Sequence, residues 1–566
     1  MKIKVVAAVL ISALTITTLA LFGAAPQKKS DEGTAFKSQT NLVLVPVQVR
    51  SKGQHVAGLT KDKFSILQDG KEQKIAVFEE IRTTTQRLQR VPAGPREFTN
   101  QLQGSPDTAR YTVIAIDRIN TGTIDMNRVK LGLMKFLSEA ADTGEPVRLI
   151  AIEMRGIRML QDFTTDPKAI AAAFQGSKGA TGQALHGDAS MTVTREELAK
   201  AEVGVGAASD PETAARAKQY LDQLEKSGEK QEDMMAFQQR SSRINSLEAL
   251  QQVALSLVGL PGRKSLVWVS SGYPFTSGTR TLSTAYNFGG VLEATSLDAY
   301  TTNLLNSANV AMYPVDARGT VNTAFQAMDV TQKYSPTYAM KQGLQSANRD
   351  VVTTFRNLAD ATGGKACVER TDLSGCFKDA MDDSHDYYMV GFYLDHANTK
   401  DGWHKLQAKV DDKGVNVRAR NGFLYPIPDP EATRSNDMNL AVTSLLYGAG
   451  IPFRGEWTTT EPRGDKRAAH FEINVSSDSN VVDAQQNKLN IEIAGVARAK
   501  DGSVAAQFGQ RIERTLTPDA VAAIQKMGIH YKNVMVLAPG DYLVRFVVRD
   551  NNTGKMGSAT SLLKVE

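Results

Sequence analysis

Asp117, Asn120 and Thr121 are the residues of this chain best placed for chemistry. They follow an uncharged apolar or β-branched run, Tyr111 to Ile116. Such a run between polar segments reads as a strand buried on both faces. Short side-chain oxygens at the carboxyl end of a central parallel strand stand where open α/β sheets place their ligands. The chemistry on offer is coordination of a hard divalent cation, which takes oxygen ligands. The competing reading is that the three side chains cap the following helix through ordinary hydrogen bonds. Asp316 ends another apolar run, Val310 to Val315, and reads as a turn residue bonding the Arg318-Gly319 loop.

Other chemistries fail on spacing. The seven histidines are scattered, and none belongs to a His-Glu-x-x-His pattern. No Gly-x-Ser-x-Gly elbow for a nucleophilic serine occurs. Leu260 to Ser265 superficially suggests a phosphate loop, but Lys264-Ser265 precedes a strand instead of opening a helix. Its amides would not converge on a phosphate. Tyr387-Tyr388 reads as strand packing, not as a stacking platform. No catalytic constellation is visible, and the chain reads as non-enzymatic. The two cysteines, Cys367 and Cys376, do not form Cys-x-x-Cys. In an exported protein such a pair suggests one disulfide across a small loop, with two buried free thiols as the alternative.

Export is indicated by residues 1–25: a basic start, an apolar run from Val5 to Phe22, then Gly23-Ala24-Ala25. This is the pattern of a cleavable signal peptide. The run is also long enough to stay as an anchor, the one membrane contact expected here. The expected location is secreted or periplasmic. The formal net charge of +5 falls to +3 once Lys2 and Lys4 of the leader are set aside. That balance, without a clustered basic face, gives no reason to expect nucleic acid.

A chain of 566 residues exceeds one hydrophobic core, so several domains must position these residues. After the leader, residues 26–40 read as a flexible lead-in. Residues 41–82 read as a small β module, with Asp69-Gly70 supplying the positive φ angles of a tight hairpin turn. Residues 83–108 are polar with scattered Pro and Gly and read as a linker. Strands then alternate with helices over 109–384, which implies a parallel sheet with helices on both faces. Residues 175–243 interrupt that rhythm as a helical insertion. The strands of 385–425 form a second β patch, expected to pack with 41–82. A proline-rich linker at 426–434 precedes a separate β domain, 435–566, read as an immunoglobulin-like sandwich.

Several short motifs, taken in order, add a resemblance. They are Leu59 to Phe64 with Gln68 to Lys71, Ile116 to Thr121, Val269 to Gly272, Tyr313 to Gly319, Ala361 to Gly364, Tyr387 to Phe392 and Arg418 to Phe423. On these the chain resembles the exported bacterial VWFA-related proteins of the acidobacterial type. The resemblance covers about residues 41–425, with a looser match to the end. It implies an α/β fold with a von Willebrand factor A-type doubly wound, mostly parallel sheet, a module used mainly for adhesion and protein binding.

Such domains often hold Mg²⁺ at an adhesion site. Its pattern is Asp-x-Ser-x-Ser, a Thr in a second loop and an Asp after the fourth strand. Here Asp117 matches the first Asp and Thr121 the second hydroxyl, while Ile119 replaces the first Ser. Thr164 or Thr165 would supply the second loop, and Ser270-Ser271-Gly272 stands where Asp-Gly is usual. The implied site is degenerate: Asp117, Asn120, Thr121, Thr165 and Ser270 around Mg²⁺ or another divalent cation. It lacks one hydroxyl and one carboxylate, which weakens its affinity for a hard ion. The resulting expectation is an exported binding or adhesion module for a protein or surface glycan. A metal-free scaffold of the cell envelope is the alternative, and a hydrolase with an unrecognised site the remote one.

Overall fold

The computed structural model describes residues 42–82, 89–91, 93–103, 110–139, 145–177, 210–260, 262–272, 294–320, 349, 351–383, 386–395, 398–425, 430–483 and 486–566. Residues 42–566 fall into a single body. The leader, the lead-in and much of the insertion lie outside the described residues.

One sheet carries the candidate site. Its strands run in the order Gly156–Thr164, Val147–Glu153, Tyr111–Asp117, Lys264–Ser270 and Val310–Asp316. The last four are mutually parallel, and Gly156–Thr164 returns antiparallel along one edge. Every residue of the Tyr111, Lys264 and Val310 strands is buried, as their uncharged cores require. Ile114 and Ile116 face Val129 and Leu133 of helix Thr123–Glu139 and Phe377 of helix Leu373–Asp383. Val113 and Ala115 face the opposite way, toward Leu250, Leu305 and Phe355. Gly364 lets the chain pass against this sheet: a Cβ there would lie 1.9 Å from the carbonyl oxygen of Met312.

The expected class does not hold for the chain. Among the described residues, strand makes up 43% and helix 31%, and no doubly wound α/β pattern of the von Willebrand factor A type emerges. Among the described residues, five of six sheets are antiparallel throughout, and parallel pairing is confined to this mixed sheet. The physical reason lies at the two ends of the chain. Their alternating runs pair as hairpins and cross-chain antiparallel ladders, and these outnumber the strand–helix repeats that prompted the α/β reading.

At the amino end, Leu42–Ser51 pairs with Tyr387–Tyr393 through one half of its length and with Asn416–Arg418 through the other. Phe64–Gln68 pairs with Gly402–Val410. Strands more than 300 residues apart in sequence thus share one core, in which Val45, Val47, Tyr388, Val390 and Phe423 are buried. Asp69 and Gly70 make the hairpin turn at φ 48° and 82°.

At the carboxyl end two antiparallel sheets share a core containing Phe453, Trp457, Phe471, Ile491 and Phe546. One sheet has the order Ile529–Leu537, Lys466–Val475, Phe453–Arg463, Glu97–Thr99. Its last strand comes from the stretch read as a linker. The sandwich is therefore not the free-standing immunoglobulin-like domain expected of 435–566. The helical part of the insertion is also continuous with the sheet-packing helix beyond it, as one helix, Pro211–Leu257. Asp210 caps it, accepting from the Thr213 amide at 2.9 Å, and Pro211 occupies its first turn. Helix Pro430–Thr443 packs against that long helix, so Met438, Leu440 and Ala441 join the core of the mixed sheet. Among the described residues, no helix is long and apolar enough to cross a membrane.

Candidate functional site

Four of the five expected ligands meet at the carboxyl end of the central strands. The Tyr111 and Lys264 strands are in direct register, Ile116 beside Val269, so Asp117 and Ser270 end next to each other. Asp117 Oδ1 accepts from the backbone amides of Ile119 and Asn120, both at 3.1 Å. Asp117 Oδ2 accepts from Asn120 Nδ2 at 2.7 Å and from the Ser270 hydroxyl at 3.0 Å. Asn120 Nδ2 also donates to Ser246 Oγ at 2.8 Å, tying the strand end to the long helix. Thr121 Oγ1 accepts from the Ser271 amide at 3.3 Å. The Ser271 hydroxyl donates to Asp125 Oδ2 at 2.7 Å, in the first turn of the next helix.

Asp117, Thr121 and Ser270 are each 0% exposed and Asn120 is 1% exposed. Burial drives the Asp117 carboxyl up to about 6, against the pull of the donors from Asn120, Ser270 and Ile119, which favour the ionised form. What forms is a closed turn. Asp117 folds back onto the loop amides before the helix starts at Thr123, so it stabilises the turn and not the helix end.

Thr165 is not part of this group. Thr164 pairs with Val147, which itself pairs with Thr112, so this loop lies at the amino ends of the parallel strands. There Thr165 lines a cavity with Glu145, Phe136 and Lys378. The Gly156 strand runs antiparallel to its neighbour, and its far end returns to the side of the sheet opposite Asp117. Asp316 is likewise accounted for locally, by the amide and guanidinium of Arg318 at 2.7–3.0 Å.

The residues present do not fit a divalent cation. Mg²⁺ takes about six oxygens at about 2.0–2.1 Å. The buried Asn120 Oδ1 has no hydrogen-bond partner and is the one oxygen in a state a cation could use. Both oxygens of Asp117 instead face two donors each, whose hydrogens present positive charge to the place an ion would take. Among the described residues, no group of three or more His, Cys, Asp or Glu side chains converges elsewhere. Ser246 was the member of the cluster that the sequence did not reveal. It stands 126 positions from Asn120 in a helix with no other polar signal to distinguish it.

Cys367 and Cys376 are joined as a disulfide with Cα atoms 5.8 Å apart. Cys367 also donates its amide to Pro314 O at 2.7 Å and accepts from the Asp316 amide at 2.9 Å. The bridge therefore ties the outer strand of the mixed sheet to helix Leu373–Asp383.

No family model matches the sequence. No curated protein sequence is significantly similar to it. Among solved structures, the crystal structure of a Bacteroides uniformis beta-glucuronidase aligns at 10% identity and a TM-score of 0.15. That alignment covers 31% of this chain and 19% of the enzyme. A likeness of that size carries no argument about fold or activity, and the motif resemblance to VWFA-related proteins gains nothing from it.

Proposed function

We propose that this chain is a non-enzymatic protein of the cell envelope or its exterior, a metal-free scaffold that presents its surfaces to a protein or glycan partner. The observation that carries this reading is the saturated Asp117 carboxylate. Four internal donors occupy it, so its charge serves the fold and is not offered to an ion or a substrate. The cation-dependent form of adhesion is set aside on the same ground. Export is supported by the leader-like residues 1–25 and by the Cys367–Cys376 disulfide, since such bonds persist in oxidising compartments.

The test is a titration of MgCl₂ and MnCl₂ into the EDTA-treated full chain, followed by melting temperature and heat. A ligand that binds only the folded state raises the melting temperature by mass action. The expected result is no rise beyond that given by NaCl of equal ionic strength. A saturable, stoichiometric rise that disappears in Asp117→Ala would overturn the metal-free reading. Fractionation of expressing cells tests export: full-length chain in the cytoplasm with both thiols alkylatable would contradict it.

A further inference from the structure

We infer that the cleft between the amino-terminal β module and the mixed sheet is a binding site for a doubly charged tetrahedral oxyanion, phosphate or sulfate. The cleft has a volume of about 400 Å³ and is lined by Arg50, Lys52, Lys365 and Arg418, with Asp383 as its one carboxylate. The lining thus carries a net charge of three positive. None of its lining residues belongs to the Asp117 turn, and it does not depend on the reading of that turn.

The single carboxylate is already committed. Asp383 Oδ2 accepts from Tyr313 Oη at 2.9 Å and from Arg418. Burial pushes the Asp383 carboxyl up, but Arg418, with Arg263 and Tyr313, more than offsets this and holds it below the ordinary carboxylate value. Asp383 is therefore ionised and paired with Arg418 through Oδ2, and it neutralises at most one of four cations. Arg50 spends its terminal nitrogens on backbone carbonyls of Gly53, Asp382 and Asp383, which supply no charge. Its Nε lies 3.6 Å from Asp383, outside hydrogen-bond reach. Arg50 Nε and Arg418 Nε are both buried without an acceptor, so the cluster is short of oxygens, and outside the lining Asp360 is the further carboxylate that acts on Arg418.

Lys52 and Lys365 are exposed at the rim, and among the described residues neither meets a carboxylate within ion-pair distance. Gly53 and Gly414 stand on the mouth, and a Cβ at either would meet nothing within 4 Å, so this part of the rim is open space. Like charges held together in a partly buried cleft repel one another, and an entering anion relieves that repulsion. A tetrahedral oxyanion matches the donors: the guanidinium of Arg418 is fixed by Gln48 and Asp383, and the two lysines close from the rim as mobile point charges. Because Arg50 and Lys52 belong to one module while Lys365 and Asp383 belong to the other, a bound anion would bridge the two.

The test is isothermal titration and thermal melting of the full chain with sodium phosphate and sodium sulfate, against sodium chloride at matched ionic strength. The expected result is saturable heat and a raised melting temperature with either oxyanion beyond that with chloride. Lys365→Glu and Lys52→Glu, both at exposed positions, should each weaken binding by about tenfold or more while the anion-free melting temperature does not fall. Lys218→Glu, on an exposed helical position outside the cleft, should leave it unchanged. Glucose 6-phosphate in a parallel titration distinguishes the source. Tighter binding than inorganic phosphate assigns a sugar-borne group, and weaker binding assigns the free ion. The inference is overturned if neither oxyanion exceeds chloride, or if Lys218→Glu weakens binding as much as Lys365→Glu does.

Discussion

Ser270 donates its hydroxyl to Asp117 Oδ2 at 3.0 Å, and this bond joins the carboxyl ends of two parallel neighbours in the mixed sheet. Asp117→Ala would strip the acceptor from two buried amides, and would leave Ser270 with Gly272 O and the Asn120 side chain with Ser246 as their remaining acceptors. Each unsatisfied buried donor costs about 1–3 kcal/mol, softened where the loop can relax. Urea denaturation should show a loss of about 2–4 kcal/mol for Asp117→Ala. A loss under about 0.5 kcal/mol, the range of ordinary surface changes, would mean that the turn does not depend on this carboxylate.

The same carboxylate makes stability depend on pH in an unusual direction. Its folded value is about 6, above the ordinary 3.8. Between these values the folded chain holds the proton more tightly than the unfolded one. The contribution of Asp117 is therefore fully present below about pH 4 and lost as pH rises through about 6. The span is about 2–3 kcal/mol. Stability curves of the parent and of Asp117→Asn should differ by a fall between pH 4 and 6 that only the parent shows. Parallel curves through that window would contradict the assignment.

Lys264 lies beside Tyr111 in register, 2% exposed, with its Nζ donating to Leu260 O at 2.6 Å. Burial takes its ammonium down to about 7 from 10.5. The unfolded chain then binds the extra proton between pH 7 and 10.5, so stability rises with pH over that window. Lys264→Met keeps most of the volume and removes the titration. It should raise stability near pH 7 by at least about 1 kcal/mol and flatten the alkaline rise. A variant less stable than the parent at pH 7 would show that the Leu260 bond outweighs the buried charge.

Reduction of Cys367–Cys376 releases a short loop, with the cysteines 9 positions apart. Chain-entropy loss in the unfolded state predicts about 2–3 kcal/mol for a loop of this size. Cys367→Ser with Cys376→Ser should therefore lower the urea midpoint. An unchanged midpoint would indicate that the backbone bonds of Cys367 to Pro314 and Asp316 suffice.

The strand ending in Asp117 was legible because composition alone marks a strand buried on both faces. Thr165 was misplaced because the Gly156 strand, antiparallel at the edge, carries its end away from Asp117 to the amino ends of the parallel strands. The break in the long helix was invented by composition, since the polar half and the core-packing half are one continuous element. The meeting of residues 41–82 with 385–425 was legible, and Val47 pairs with Tyr388 there; fold class failed because such antiparallel ladders, together with those of the carboxyl end, outweigh the one mixed sheet.

Glu97–Thr99 was hidden in a polar stretch, being three residues long and without a period to detect. Yet Phe98 is 1% exposed, stacks on Phe546 with centroids 4.3 Å apart, and faces Gly455 across the ladder. A Cβ at Gly455 would lie 2.3 Å from the Phe98 ring, so the sheet was shaped to receive this side chain. Asn100 then fixes the strand end by donating to Gly448 O and Ile451 O and accepting from the Phe453 amide at 2.7–2.8 Å. Phe98→Ala leaves a void in the sandwich core and should cost about 3–5 kcal/mol by urea denaturation. Leu562→Ala, at a position 79% exposed, serves as the control and should change stability by less than about 0.5 kcal/mol. Equal small losses in both variants would mean that the carboxyl-terminal sandwich is complete without the strand from residue 97.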